Sequence, residues 1–364
     1  MTTTHNQVNR YYKTVNINTT LQKDSRGSVL VIYTGGTIGM NYEETARSLI
    51  PFDFEKIIEK VPELKRFDFE LTVLSFTVLI DSSDINTAHW IELARIIEDF
   101  YDEYDGFVVL HGTDTMAYTA SAMSFLLENL GKPVIFTGAQ LPIGASRTDA
   151  RENLITALEI ASTRQNGRAL IPEVCIYFDH LLLRGNRSKK VQNFNFTAFE
   201  SANYPPLAVA GIHIDYNLPL IKEADPDCPL KIHKKLGTDV LILKLFPGIS
   251  SRFIQPLLNS PNLRGVVLET FGSGNAPTSD WFLDMLQQTI NKGTIIYNVS
   301  QCDGGSVTQG KYVTSRHLAE IGVIGGGDIT TEAAITKLMW AMGQTTDAEK
   351  VKAMLLRPVC GEIS

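Results

Sequence analysis

Four short apolar runs in the first half of the chain each end in a loop of glycine, hydroxyl or acidic residues, and a stretch with apolar residues at helical spacing follows. The runs are Val29 to Ile32, Leu71 to Val78, Phe107 to Leu110 and Pro133 to Phe136. Runs this short and this continuous read as strands buried on both faces, which occur in parallel sheets covered by helices. The stretches between them carry one apolar stripe. After the second run Trp90, Leu93, Ala94, Ile97, Phe100, Tyr101 and Tyr104 recur at the helical period, with Glu92, Arg95, Glu98, Asp99 and Asp102 elsewhere. Asn86 or Thr87 supplies the cap. Further on, Arg147 to Ala161 reads as a helix and Val174 to Phe178 as another strand. Such alternation predicts an α/β fold with a doubly wound, mostly parallel sheet.

At 364 residues the chain exceeds one usual core. Composition shifts at Pro205-Pro206, and residues 217–237 are rich in Pro, Asp and Lys without sustained period. We therefore expect a flexible N-terminal extension over 1–27, a catalytic N-terminal α/β domain over 28–216, a linker over 217–237 and a smaller C-terminal α/β domain over 238–364. Strands of the smaller domain are expected at Val240 to Phe246, Val266 to Glu269 and Thr294 to Val299.

Several function classes are disfavoured by composition. A formal net charge of -7 gives no basic footprint for nucleic acid or an anionic membrane. No run approaches the roughly 18 apolar residues of a membrane span, and the polar N-terminus has no signal-peptide core. Cys175, Cys228, Cys302 and Cys360 are scattered, with neither zinc spacing nor a disulfide framework. That usage suits a reducing cytoplasm.

In a parallel sheet the carboxyl ends of the strands face one crevice, where such folds bind ligands. Three of these ends carry hydroxyls: Thr37 in the loop Tyr33 to Met40, Ser82 with Ser83, and Thr113 beside Asp114. The first loop is a poor phosphate cradle, because Met40 stands where a Walker loop needs lysine. A threonine hydroxyl becomes nucleophilic only when a neighbour takes its proton. His111 is one strand end away, but a lone histidine beside a buried strand reads as a hydrogen-bonded core residue. A lysine made neutral by desolvation and balanced by Asp114 is the other base. Spacing does not identify which lysine.

The loops Tyr33 to Met40 and His111 to Tyr118 together resemble the two signature loops of the bacterial-type L-asparaginases. The resemblance continues through Asp81-Ser82-Ser83-Asp84, Gly131 to Val134 with Thr137-Gly138, Arg184-Gly185-Asn186-Arg187 and Gly274-Asn275-Ala276-Pro277. It spans nearly the whole chain from Ser28 and is closest in form to the cytoplasmic type I branch. It implies hydrolysis of the L-asparagine side-chain amide to L-aspartate and ammonia, with no metal and no cofactor. The family's nucleophile falls on Thr37, with Thr113 the alternative, and its Thr-Asp-Lys constellation on Thr113, Asp114 and Lys190. Asp81, Ser82 and Ser83 fall on the stretch that holds the substrate's amino-acid end.

The family also implies a homodimer or homotetramer in which the smaller domain of one subunit closes a neighbour's site, Asn275 being the candidate contributor. By its own loop chemistry Asn275 is equally an αL turn residue. The chain departs from the family in its mobile loop, where Leu49 precedes Ile50-Pro51 and the nearest tyrosine, Tyr42, is the candidate supporting hydroxyl. An effector-asparagine site of some type I enzymes retains Gln301-Cys302 here but has Lys189 and Glu269 at its other two places, so homotropic activation stays open. Two other functions compete with this reading: a subunit of a tRNA-dependent amidotransferase, and an amino-acid or nucleotide-binding module without turnover. The short tail before Ser28 offers little chain for the added domain of the former. Retention of a base disfavours the latter.

Overall fold

The computed structural model describes residues 12–17, 27–43, 48–51, 57–310 and 313–364, with backbone only at 41–43, 48–51, 58 and 313–315. The buried apolar runs become the middle of a nine-stranded sheet. Its strands are β1 (Tyr12–Ile17), β2 (Ser28–Tyr33), β3 (Glu70–Phe76), β4 (Gly106–Leu110), β5 (Val134–Thr137), β6 (Val174–Phe178), β7 (Leu181–Arg184), β8 (Ala208–Ala210) and β9 (Ile214–Tyr216). They lie in the order β1-β3-β2-β4-β5-β6-β7-β8-β9. The inner strands β3, β2, β4, β5 and β6 are mutually parallel, and both flanks are antiparallel.

Successive residues of β2 feed two different cores. Val29, Val31 and Tyr33 point to one face, where α3 (Ala150–Ser162) packs, and Leu30 and Ile32 to the other, where α1 (Thr87–Asp99) and α2 (Met116–Leu126) pack. A strand covered on both sides has no wet face, so its sequence shows no polar alternation.

The expected flexible extension is corrected in part. Tyr12–Ile17 is an edge strand, antiparallel to β3 from Tyr12 opposite Phe76 to Ile17 opposite Leu71. Without it β3 would present a row of open backbone groups; pairing them requires main chain, not an apolar run, so the segment carries no strand signature. Residues 1–11 and 18–26 lie outside the described residues. In the stretch that the resemblance assigns to a mobile loop, Met40–Glu43 and Ser48–Pro51 pair as an antiparallel ribbon.

A second sheet of four parallel strands, β10 (Val240–Lys244), β11 (Gly265–Thr270), β12 (Ile295–Ser300) and β13 (Ile324–Gly325), builds the smaller domain. Its helices are α4 (Ser251–Leu258), α5 (Asp280–Asn291), α6 (Val313–Glu320), α7 (Thr331–Gln344) and α8 (Ala348–Leu356). Helix α2 packs on the large sheet with one side and on α7 with another, Phe125 stacking on Trp340 at 5.9 Å between ring centroids. Between the sheets, Lys231–Ile232 pairs with Leu127–Glu128 at the end of α2. Among the described residues no helix is long and apolar enough to cross a membrane.

Candidate active site

The three hydroxyl-bearing loops meet backbone against backbone. Thr34, just past β2, donates to the Leu110 carbonyl from both its amide (3.1 Å) and its hydroxyl (2.9 Å), and its own carbonyl accepts from Ile80 N–H at 2.8 Å. Those bonds bring the ends of β2 and β4 and the chain before Asp81 into one clamp. Gly35 and Gly36 follow at φ 142° and 90°. A Cβ on Gly35 would lie 2.3 Å from the Ile80 carbonyl oxygen, and one on Gly36 would lie 2.6 Å from Gly112 N. Only glycine fits both the dihedrals and the space. Gly112 in turn lies against Ser82, whose Oγ a Cβ would approach to 2.5 Å. Thr37 and Thr113 are each the next residue after a glycine of this stack, so the packing brings their loops together.

Within the cluster, Lys190 Nζ donates to Thr113 Oγ1 at 2.7 Å and to Asp114 Oδ1 at 2.6 Å. The lysine side chain is 15% exposed and the aspartate 68%, so the amine is shielded while its counter-charge meets solvent. Lys190 arrives from a two-residue ribbon, Lys189–Lys190 against Phe199–Glu200, that follows β7 and the turn Gly185–Arg187. Thr37 is half-buried at the head of the 3-10 turn Thr37–Gly39, and its hydroxyl has no partner among the described residues. Asp81 is exposed and caps the turn Ser82–Asp84, accepting from Ser83 N–H and Oγ–H at 2.8 Å each. Those two bonds hold its carboxyl below the usual range. Ser82 is buried, and its carbonyl accepts from Thr115 Oγ1 at 2.6 Å.

His111 is the core residue its sequence position suggests. It is 1% exposed, with Nδ1 2.6 Å from the Gly112 carbonyl and Nε2 3.0 Å from Thr119 Oγ1, which accepts from Trp90 Nε1 at 3.0 Å. A carbonyl only accepts, so Nδ1 carries the hydrogen and Nε2 accepts from Thr119. Burial pushes its pKa down to about 4. The neutral ring braces the Thr113 loop and has no lone pair free for the crevice.

Two further residues singled out in the sequence are placed by their backbone pairing. Tyr42 is paired through its backbone with Leu49, and its side chain lies outside the described residues. Asn275 belongs to the smaller domain, where its N–H and C=O exchange bonds with Phe271 at 2.8 and 2.9 Å. The αL alternative for Asn275 is corrected: Gly272 and Gly274 take the positive φ values in this turn, 51° and 105°. The glycines on either side of Ser273 absorb the bend, so Asn275 needs no left-handed backbone.

Near the ribbon, Lys189 Nζ pairs with Asp303 at 2.5 Å, and Glu269 accepts from Thr331 Oγ1 at 2.6 Å. Gln301 Nε2 donates to the Leu245 and Glu269 carbonyls at 2.7 and 2.8 Å. Among the described residues no group of three or more His, Cys, Asp or Glu side chains is disposed to hold a metal ion. Sequence reasoning missed the clamping roles of Thr34 and Thr115; hydroxyls flanking loop glycines were the available signal.

The family described as "Asparaginase, N-terminal" matches residues 28–222, and the "Glutaminase/Asparaginase C-terminal domain" matches residues 239–355. The chain is 40% identical over 339 residues to L-asparaginase 1 of Escherichia coli K12, covering 93% of this chain and 98% of that protein. It superposes on the crystal structure of L-asparaginase I from Vibrio cholerae with a TM-score of 0.84 at 40% identity, over 93% of this chain and 99% of that one. It is also 32% identical to a glutamyl-tRNA(Gln) amidotransferase component of Pyrococcus abyssi, over 92% of this chain and 76% of that protein.

Proposed function

This chain belongs to the asparaginase family, and from that premise we propose that it hydrolyses the side-chain amide of L-asparagine to L-aspartate and ammonia. The observation that carries the proposal is the chain of bonds from Asp114 through Lys190 to Thr113, set against the loop that presents Thr37. Binding alone would need hydroxyls and charges, but not an amine held against a hydroxyl.

In the proposed reaction Thr37 Oγ1 attacks the amide carbon, its proton passing to the Thr113–Lys190 pair. The tetrahedral oxyanion is stabilised by backbone N–H groups of the glycine-rich turns. The C–N bond then breaks as the nitrogen takes a proton and leaves as ammonia, giving an aspartyl ester on Thr37. Water deprotonated by the same pair attacks the ester carbonyl and restores the hydroxyl. Asp81, Ser82 and Ser83 orient the α-amino and α-carboxyl groups, and such positioning supplies several kcal/mol of the barrier reduction. Asn275, from the smaller domain of a neighbouring subunit in a homodimer or homotetramer, and Tyr42 complete the pocket. A cytoplasmic location is part of the same proposal.

One observation favours a second assignment of the nucleophile. Lys190 touches Thr113 directly, so the primary ester on Thr113 is the alternative. Rapid quench followed by peptide mapping distinguishes them, because the aspartyl group remains on whichever threonine attacked. The overall test is ammonia release from purified protein given L-asparagine, D-asparagine and L-glutamine, for the native chain and Thr37→Ala. We expect turnover of L-asparagine and loss of nearly all of it in the variant with the fold intact. Absence of ammonia from the native chain would refute the assignment, and release only with an added partner would favour the amidotransferase reading. L-Glutamine differs by one methylene, worth about 1–3 kcal/mol in a fitted pocket.

A further inference from the structure

Arg187 ends the turn that carries the chain from β7 to Lys190, yet its guanidinium is held by the other domain. Nε donates to the Gly361 carbonyl at 2.7 Å, Nη1 to Asp328 Oδ2 at 2.8 Å and Nη2 to Ser364 Oγ at 3.0 Å. Each nitrogen has its own acceptor, and the residue is 2% exposed. A planar fork filled in this way fixes direction as well as distance.

The acceptors are themselves tied down. Asp328 Oδ1 accepts from Ser364 N–H at 2.9 Å. Glu362 pairs with Lys337 of α7 at 2.6 Å with neither side chain exposed, and its carboxylate also accepts from the amides of Val359 and Cys360. Asn186 Nδ2 adds bonds to the Cys360 carbonyl at 3.2 Å and Sγ at 3.0 Å. Residues 360–364 thus form a strap that grips Asn186 and Arg187 and is riveted to α7.

Only Ser188 and Lys189 separate Arg187 from Lys190, and Ser188 Oγ closes the turn on the Arg184 carbonyl at 2.7 Å. With so little chain between them, the lysine inherits the position of the turn. We propose that Arg187 is the positioning residue for Lys190: anchored to Asp328 and the strap, it keeps the lysine amine within hydrogen-bond reach of Thr113. The smaller domain thereby sets the geometry of the base inside its own chain. This inference rests on the reading of Lys190 as the base.

The test measures kcat and KM for L-asparagine and calorimetric binding of L-aspartate on Lys190→Ala, Arg187→Lys and Asp328→Asn, with kcat expressed per aspartate-binding site. Undiminished turnover in Lys190→Ala removes the base assignment itself. With Lys190→Ala inactive, Arg187→Lys should lower kcat at least about tenfold, since displacement by an ångström is costly to catalysis. KM and aspartate affinity should stay within about twofold, the split expected for a group that acts on the transition state alone. A native kcat in Arg187→Lys, or an equal loss of aspartate affinity, overturns the role of Arg187 while leaving Lys190 in place. If Arg187→Lys fails to fold, Asp328→Asn decides. It offers one carboxamide oxygen where two carboxylate oxygens accepted, and a loss of about two- to fivefold in kcat is expected from a weakened charged hydrogen bond; an unchanged value overturns the proposal.

Discussion

Two lysines of this chain make ion pairs of the same length in opposite surroundings. Lys190 lies 2.6 Å from Asp114 and Lys337 2.6 Å from Glu362. Lys337 and Glu362 are wholly buried, and the ammonium also donates to the Leu355 and Arg357 carbonyls at 2.9 and 2.7 Å. Its three hydrogens are all engaged, so it has none to exchange. Lys190 engages two acceptors among the described residues, one of them the Thr113 hydroxyl, and its carboxylate partner is 68% exposed. Distance alone does not distinguish the two pairs. Saturation of the donors and access of solvent do.

Two substitutions probe that contrast. Lys190→Ala has the largest expected effect, a fall in kcat of about 10^4-fold, or roughly 5 kcal/mol of barrier, with an unchanged circular dichroism spectrum. A residual rate near native would make the exposed pair the structural one. Glu362→Ala leaves an ammonium buried without its counter-charge and should lower unfolding stability by about 4 kcal/mol, measured by urea titration. KM of the folded fraction should not move; a stability loss of surface-pair size would break the contrast from the other side.

The third prediction concerns His111, a buried titratable group two residues before Thr113. Its folded pKa of about 4 lies below the ordinary value of 6.5. Between those values the unfolded chain binds a proton that the folded chain refuses, so stability falls as pH drops from 6.5 towards 4, by up to about 3 kcal/mol. His111→Asn should flatten that limb of the stability curve. An acid limb as steep as the native one would assign the sensitivity to other groups.

Strands buried on both faces were legible because helices on either side remove the polar alternation, leaving continuous apolar runs such as Val29 to Ile32. The paired threonine loops were legible as motifs, and His111 as a core residue. Tyr12–Ile17 was not, because an edge strand is recruited by the open backbone of β3 and needs no apolar run of its own. Lys190 could be named only through resemblance, since it meets Thr113 from 77 residues away. The strap was invisible for the same reason: Arg187 reaches Ser364 across 177 residues, and local pattern carries no trace of so distant a bond.

Helix α2 is buried along nearly its whole length, Met116 to Leu126, between the large sheet and α7. Protease nicking of the exposed stretch around Asp225 to Cys228 should therefore leave the two pieces in stoichiometric association. Expressed separately, each half would expose an oily helix and precipitate, whereas coexpression would let the fragments rescue one another.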